Sequence, residues 1–269
     1  MAEEAARLAV SAYGAARITG AHAHEEGQLL SLRAGLQLIE TDAGRWVLPP
    51  GWIGWIAPRC AHAAQSFGAT EGWSLYLDPA LTPMLPPGPH VFAPTPLVRE
   101  LIARLVSLDG DDSPSAVDLA RRLRLVTVLI DELAAGSQAS LHLAMPRDRR
   151  LFAMAAALAD DPAVPDTIEQ WAARIGMARR TLTRRFAAET GLSFAQWRQQ
   201  ARLLKAVEGL SVGEPVTTVA LTVGYSSVSA FIETFRRHFG CTPARFFAQG
   251  RELPSTRAGW VPRAKKKPA

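Results

Sequence analysis

The stretch 167–247 carries one pattern twice. Ala172, Gly176, Leu182, Phe186, Gly191 and Ser193 return as Ala220, Gly224, Phe231, Phe235, Gly240 and Thr242, first 48 and then, after one inserted residue, 49 positions later. A small residue lets two helices touch, a glycine supplies the positive φ of a tight turn, and apolar side chains at i and i+4 fix the next helix to a core. A repeat of this length predicts a duplicated helix-turn-helix, so the first partner to seek is DNA.

In the first unit Asp166 and Thr167 precede Ile168, with Glu169 in the first turn, which marks a helix start that Gly176 ends. The following helix, over about 178–190, is the recognition candidate: Leu182 and Phe186 face the core, while Arg179, Arg180, Thr183 and Arg184 occupy the other side. Guanidinium groups placed there can bond guanine edges or phosphates bidentately. Residues 193–210 set Phe194, Trp197, Ala201, Leu204 and Val207 at helical spacing, a stiff connector between the units. In the second unit a helix over about 227–239 turns Val228, Phe231, Ile232, Phe235 and Phe239 inward and offers Ser226, Ser227, Ser229, Glu233, Arg236 and Arg237 outward. That face is the less basic one. Glu233 cannot meet phosphate favourably, although a carboxylate can accept from cytosine N4. The first unit is therefore expected to carry more of the affinity.

Charge follows the same division. Residues 147–269 hold 20 Lys/Arg and 10 Asp/Glu, whereas residues 1–146 hold 10 and 15, so only one half suits a polyanion. With 269 residues the chain can bury two cores of ordinary size. No run approaches the ~18 apolar residues of a membrane span, and Glu3 and Glu4 open the chain without an apolar signal region, so a soluble, cytoplasmic protein with no membrane partner is expected. Cys60 and Cys241 fall in different predicted domains, which argues against a disulfide framework. The tail, with Lys265, Lys266 and Lys267, is expected to be disordered and to add non-specific attraction at most.

The run TIEQWAARIGMARRTLTRRFAAETGLSFAQWRQQARLL, followed by VTTVALTVGYSSVSAFIETFRRHFGCTPARFF, resembles the DNA-binding domain of the AraC/XylS family of bacterial transcription regulators. The resemblance covers about 100 residues, 146–249, and includes both units and the connector. It implies two recognition helices that enter successive major grooves on one DNA face, promoter DNA as partner, and RNA polymerase as a further candidate. Two departures stand out. Ala178 lies where Ser usually caps the first recognition helix, an expected cost of about 1 kcal/mol, and Glu233 lies where many members carry Arg.

The other half reads as short strands at 29–32, 35–40, 45–48, 53–56 and 73–77, separated by the turns Thr41-Asp42-Ala43-Gly44 and Pro49-Pro50-Gly51, the spacing of a small barrel or jelly roll. His22-x-His24, then Gln28, Gly35, the PPG turn and His62, is similar to the cupin sensor domain of the same regulators. Metal-binding cupins gather two His, a Glu and a later His on one ion. Here Gln28 stands in place of the Glu, and an amide is a poor ligand for zinc, iron or nickel. The expected cofactor is none, with a divalent metal on His22, His24, Gln28 and His62 as the weaker alternative. His22, His24, Gln28, Trp46 and His62 are instead expected to line a pocket for an unidentified small-molecule effector. Trp52, Trp55 and Trp73 could add aromatic walls, or simply belong to the core.

Seven prolines mark 79–96 as a loop. Helices are expected over 97–108 and 115–135, and in the second Leu119, Leu123, Val126, Ile130 and Leu133 form a stripe for a partner helix, either the barrel or a second copy of the chain. The resemblance favours a homodimer. The fold class expected is α+β: a cupin-like β-barrel with helices, then an all-α domain with two helix-turn-helix motifs. The expected boundaries are a sensor at 1–95, a helical dimerisation region and linker at 96–145, a DNA-binding domain at 146–250 and the tail at 251–269. The competing function is a metal-dependent cupin oxygenase or isomerase with secondary DNA binding. Catalytic residues are expected to be none, since no phosphate loop, nucleophile elbow or acid/base pairing appears.

Overall fold

The structure, a computed structural model, describes residues 6–13, 16–108, 115–136 and 141–248. The basic tail 251–269 lies outside the described residues. The first half is an antiparallel sheet of β1 (Ala6–Tyr13), β2 (Arg17–His22), β3 (Gly27–Thr41), β4 (Gly44–Leu48), β5 (Ile53–Ile56), β6 (His62–Leu77), β7 (His90–Phe92) and β8 (His142–Ala144). Strands β3 and β6 form its spine, in register from Gly27 opposite Leu77 to Glu40 opposite Ala63, with irregularities around Ala34 that curl the sheet. Strands β1 and β2 pair with β6, β4 and β5 with β3, β7 with β5 and β8 with β4.

The alternation along β3 explains how this sheet is covered. Leu29, with Leu75 and Leu77 of β6, faces two helices, α1 (Pro96–Ser107) and α2 (Ala116–Ala135), and is sealed by Val98, Ile102, Val126, Leu129 and Ile130. Leu30, Leu36 and Leu38 face the other way into a second core. Thr95 caps α1 and a Ser115/Asp118 capping box starts α2. The expected α2 stripe is only partly sealed: Val126, Ile130 and Leu133 are buried, Leu119 and Leu123 half-buried.

The second half holds α3 (Arg149–Asp160), α4 (Ile168–Arg174), α5 (Arg179–Thr190), α6 (Phe194–Ser211), α7 (Val216–Thr222), α8 (Val228–Phe239) and α9 (Pro243–Ala248). The two repeats match point by point. Gly176 and Gly224 take φ of 62° and 85° at the turns, and Gly191 and Gly240 take 75° and 77° as helix ends. Ala172, Ala220, Leu182, Phe186, Phe231 and Phe235 are all buried. Each buried Leu or Phe contributes on the order of 1.5–3 kcal/mol.

Two sequence expectations need correction. The end of the region expected as linker, up to residue 145, is not simply that, because β8 pairs with β4, Trp46 opposite His142 and Gly44 opposite Ala144. Nor does each half keep a core to itself: the one containing Leu30 and Leu38 runs through Trp46 and Leu143 into Leu151, Met154, Trp197 and Phe246 of the helical half. A three-residue strand has no periodicity to read, and its pairing partner lies about 100 residues back, so tertiary contact alone reveals it.

Candidate functional site

The first candidate surface is the face of α5. Its core side is fixed by Leu182 and Phe186, both fully buried, with Phe186 edge-on to Trp197 at 5.4 Å. That anchoring leaves Arg179, Arg180 and Arg184 exposed and Thr183 half-exposed. Arg179 is held by Glu169 at 3.0 Å, and Thr183 Oγ1 donates to the carbonyls of Arg179 and Arg180. Arg180 and Arg184 have no ion-pair partner among the described residues. The α5 N-terminus begins at Ala178 without a side-chain cap, as the sequence predicts.

The equivalent face of α8 differs. Ser227 caps the helix by accepting from the Ala230 amide, which engages one of the serines expected to face DNA, while Ser226 and Ser229 are exposed. Glu233 is bonded to Arg236 at 2.8 Å and approaches Arg237 at 3.5 Å. One carboxylate thus neutralises much of the positive charge of the second face, while the first keeps two uncommitted guanidinium groups. Between them α6 starts in a Ser193/Gln196 capping box and buries Trp197, Ala201, Leu204 and Val207.

The second candidate is a polar cluster at one end of the sheet. The rings of His22 and His62 lie 4.3 Å apart, those of His24 and His62 5.2 Å, and those of His22 and His24 6.2 Å. Each Nδ1 is within hydrogen-bond distance of a nearby carbonyl: Gly20 for His22, Glu26 for His24 and Cys60 for His62. Those bonds place a proton on Nδ1 of His22 and His62 and leave the Nε2 of His62 as an acceptor, whereas His24 faces an oxygen acceptor at both ring nitrogens, the Glu26 carbonyl and Gln28 Oε1. Gln28 meets His24 Nε2 at 3.2 Å and also Ser74 Oγ at 2.9 Å and Tyr76 OH at 3.4 Å. Burial lowers the His62 pKa, keeping that ring neutral.

Four of the five expected effector residues therefore come together, and Trp46 does not. It is buried, stacked on His142 at 4.3 Å and 19°, and belongs to the β4–β8 seam. Trp55 and Trp73 are core residues and Trp52 packs against Phe246 at 5.4 Å, so the tryptophans form no wall around the cluster. Sequence reading missed Ser74 and Tyr76, although they alternate with the apolar Trp73, Leu75 and Leu77 and so had to share a face opposite that core. Gln28 already serves three side chains, and among the described residues no group of three His, Cys, Asp or Glu is arranged to hold an ion.

The two halves meet through specific polar contacts. Trp197 Nε1 donates to the Ala144 carbonyl at 2.6 Å, Gln200 donates to the His142 carbonyl, and Arg45 of β4 reaches Asp160 at the end of α3 at 2.7 Å. Strand β8 is thus bonded to the sensor sheet along β4 and to the connector helix through two of its carbonyls.

Comparison with known proteins agrees with this geometry. A model of the helix-turn-helix domain matches residues 171–249, which span both turns. The HTH-type transcriptional regulator NimR of Escherichia coli K12 is 35% identical over 228 residues, 85% of this chain and 82% of that protein. The chain belongs to the AraC/XylS family of transcription regulators. The HTH-type transcriptional activator RhaS of Klebsiella pneumoniae is 32% identical over 156 residues, 58% of this chain and 54% of that protein. The solved DNA-binding domain of AdpA in complex with a target DNA is 35% identical, covering 37% of this chain and 91% of that domain with a TM-score of 0.34. This AraC/XylS regulator is accordingly a DNA-binding protein with an α+β half ahead of an all-α half that carries the helix-turn-helix units. No helix among its described residues is long and apolar enough to cross a membrane.

Proposed function

We propose that this regulator reads promoter DNA chiefly through Arg180 and Arg184 of α5, with α8 supplying a weaker second contact, and that His22, His24, Gln28 and His62 recognise a small molecule without a metal. The observation that carries the reading is the contrast between two otherwise matched faces: Arg180 and Arg184 of α5 have no ion-pair partner among the described residues, whereas Arg236 and Arg237 of α8 are tied to Glu233. Cationic side chains free to meet phosphates and guanine edges provide most of the affinity and its salt dependence. His24→Ala in a transcriptional reporter tests the sensor half. Regulation by the natural signal is expected to flatten while DNA affinity of the purified protein stays near wild type, because the reading residues lie in another domain; loss of DNA binding in a folded variant would contradict it.

The regulator acts as a homodimer in this reading, with RNA polymerase as its further partner. Val117 and Val128 on α2 are 74% and 42% exposed and lie 11 positions apart, three helical turns along one face. Analytical ultracentrifugation of Val117→Glu/Val128→Glu should show a monomer where the wild type sediments as a dimer. A variant that stays dimeric would move the interface elsewhere.

A further inference from the structure

A cavity of about 330 Å³ opens where the two halves meet, lined on the sensor side by Glu40, Asp42, Arg45 and His62 and on the reader side by Met145 and Phe152. Its volume is at the small end of the range for small-molecule sites. The character of its lining is one-sided. Arg45, the one guanidinium in the lining, is already gripped by Glu40 at 2.6 Å and by Asp160 at 2.7 Å. Asp42 has no ion-pair partner among the described residues. His62 is 3% exposed, its Nδ1 is bonded to the Cys60 carbonyl, and its Nε2 has no hydrogen-bond partner among the described residues. Phe152 presents an aromatic ring that is 44% exposed. A carboxylate, an imidazole lone pair and a π face are all electron-rich, and the lining holds two carboxylates, Glu40 and Asp42, against one guanidinium already paired.

We propose that this cavity binds an organic cation with a flat apolar body, its N–H donors meeting Asp42 and His62 and its charge lying near the ring of Phe152. This names the ligand class of the sensor reading above, which it extends through the shared residue His62. Because the lining comes from both halves, the bound cation bridges the β3–β4 hairpin and the reader.

The test uses the full chain with three flat probes of matched size: benzamidinium as cation, benzamide as neutral and benzoate as anion, at constant ionic strength. Benzamidinium is expected to raise the melting temperature saturably and to give a calorimetric binding isotherm, with benzamide and benzoate inert. Asp42→Asn and Phe152→Ala, both at exposed positions, should each weaken benzamidinium binding about tenfold. Binding unchanged in both variants would place the cation elsewhere and overturn the proposal. Benzoate binding that is lost in Arg45→Gln would overturn it in favour of an anion site, and inertness of all three probes would remove the cavity as a ligand site. The sensor reading fails separately, through the reporter response of His24→Ala, because His24 does not line the cavity.

Discussion

At the scale of single residues, function depends on which charges are already satisfied. Arg180→Ala and Arg184→Ala should each weaken DNA binding by about 1–3 kcal/mol if the side chain reads a base, or reduce the salt slope by about one unit if it meets a phosphate. Arg236→Ala should lose less, because Glu233 competes for that side chain. Glu233→Gln should tighten binding and steepen the salt dependence by releasing two cations. Fluorescence anisotropy across a salt series separates these outcomes, and a Glu233→Gln variant that binds more weakly would show the carboxylate reading a base instead. A second residue controls pH dependence. Burial lowers His142 from 6.5 to about 4, with its ring stacked on Trp46. A histidine whose folded pKa is depressed is held neutral by the fold, so its contribution is complete above pH 6.5 and is lost as the pH falls towards 4. The difference amounts to about 3 kcal/mol. Urea unfolding at pH 7 and pH 5 should show about 2 kcal/mol of this loss in the wild type and a flatter response in His142→Phe, which keeps the stack; equal pH dependence in both would place the titrating group elsewhere.

At the scale of elements, the two units were legible because everything that defines them is local. Gly176 and Gly224 adopt the positive φ their turns need, and Leu182/Phe186 and Phe231/Phe235 are buried at i, i+4 spacing. Ala178 was legible too, as a helix start without a cap. Ala178→Ser should therefore stabilise the reader by about 1 kcal/mol, seen as a higher melting temperature. No gain would mean that another group already serves the first amides of α5. Strand β1 alternates at Ala6, Leu8, Val10 and Ala12, but half of that apolar row is alanine and gives a weak signal, and β8 is too short to show any alternation. The Trp46 assignment erred for the same reason: its stacking partner His142 is distant in sequence, and only the β4–β8 pairing brings the rings together.

At the scale of the whole molecule, sensor and reader share one continuous core and are joined by β8 and by Arg45–Asp160, a pair separated by 115 positions. Sequence periodicity cannot report such contacts, so the sequence offers boundaries for the halves and no sign of how they join. The same rigidity sets how far apart the two reading helices lie. The connector α6 is 18 residues long, about 27 Å of helix, and holds both units rigidly through Trp197, Leu204 and Val207. Hydroxyl-radical footprinting of the full chain on its own promoter tests this most directly. The account predicts two protected patches per protomer on one DNA face, centred about one helical turn (~10 bp) apart, with the patch assigned to α5 lost first in Arg180→Ala/Arg184→Ala. A single protected groove per protomer, or a double variant whose footprint is unchanged, would contradict it.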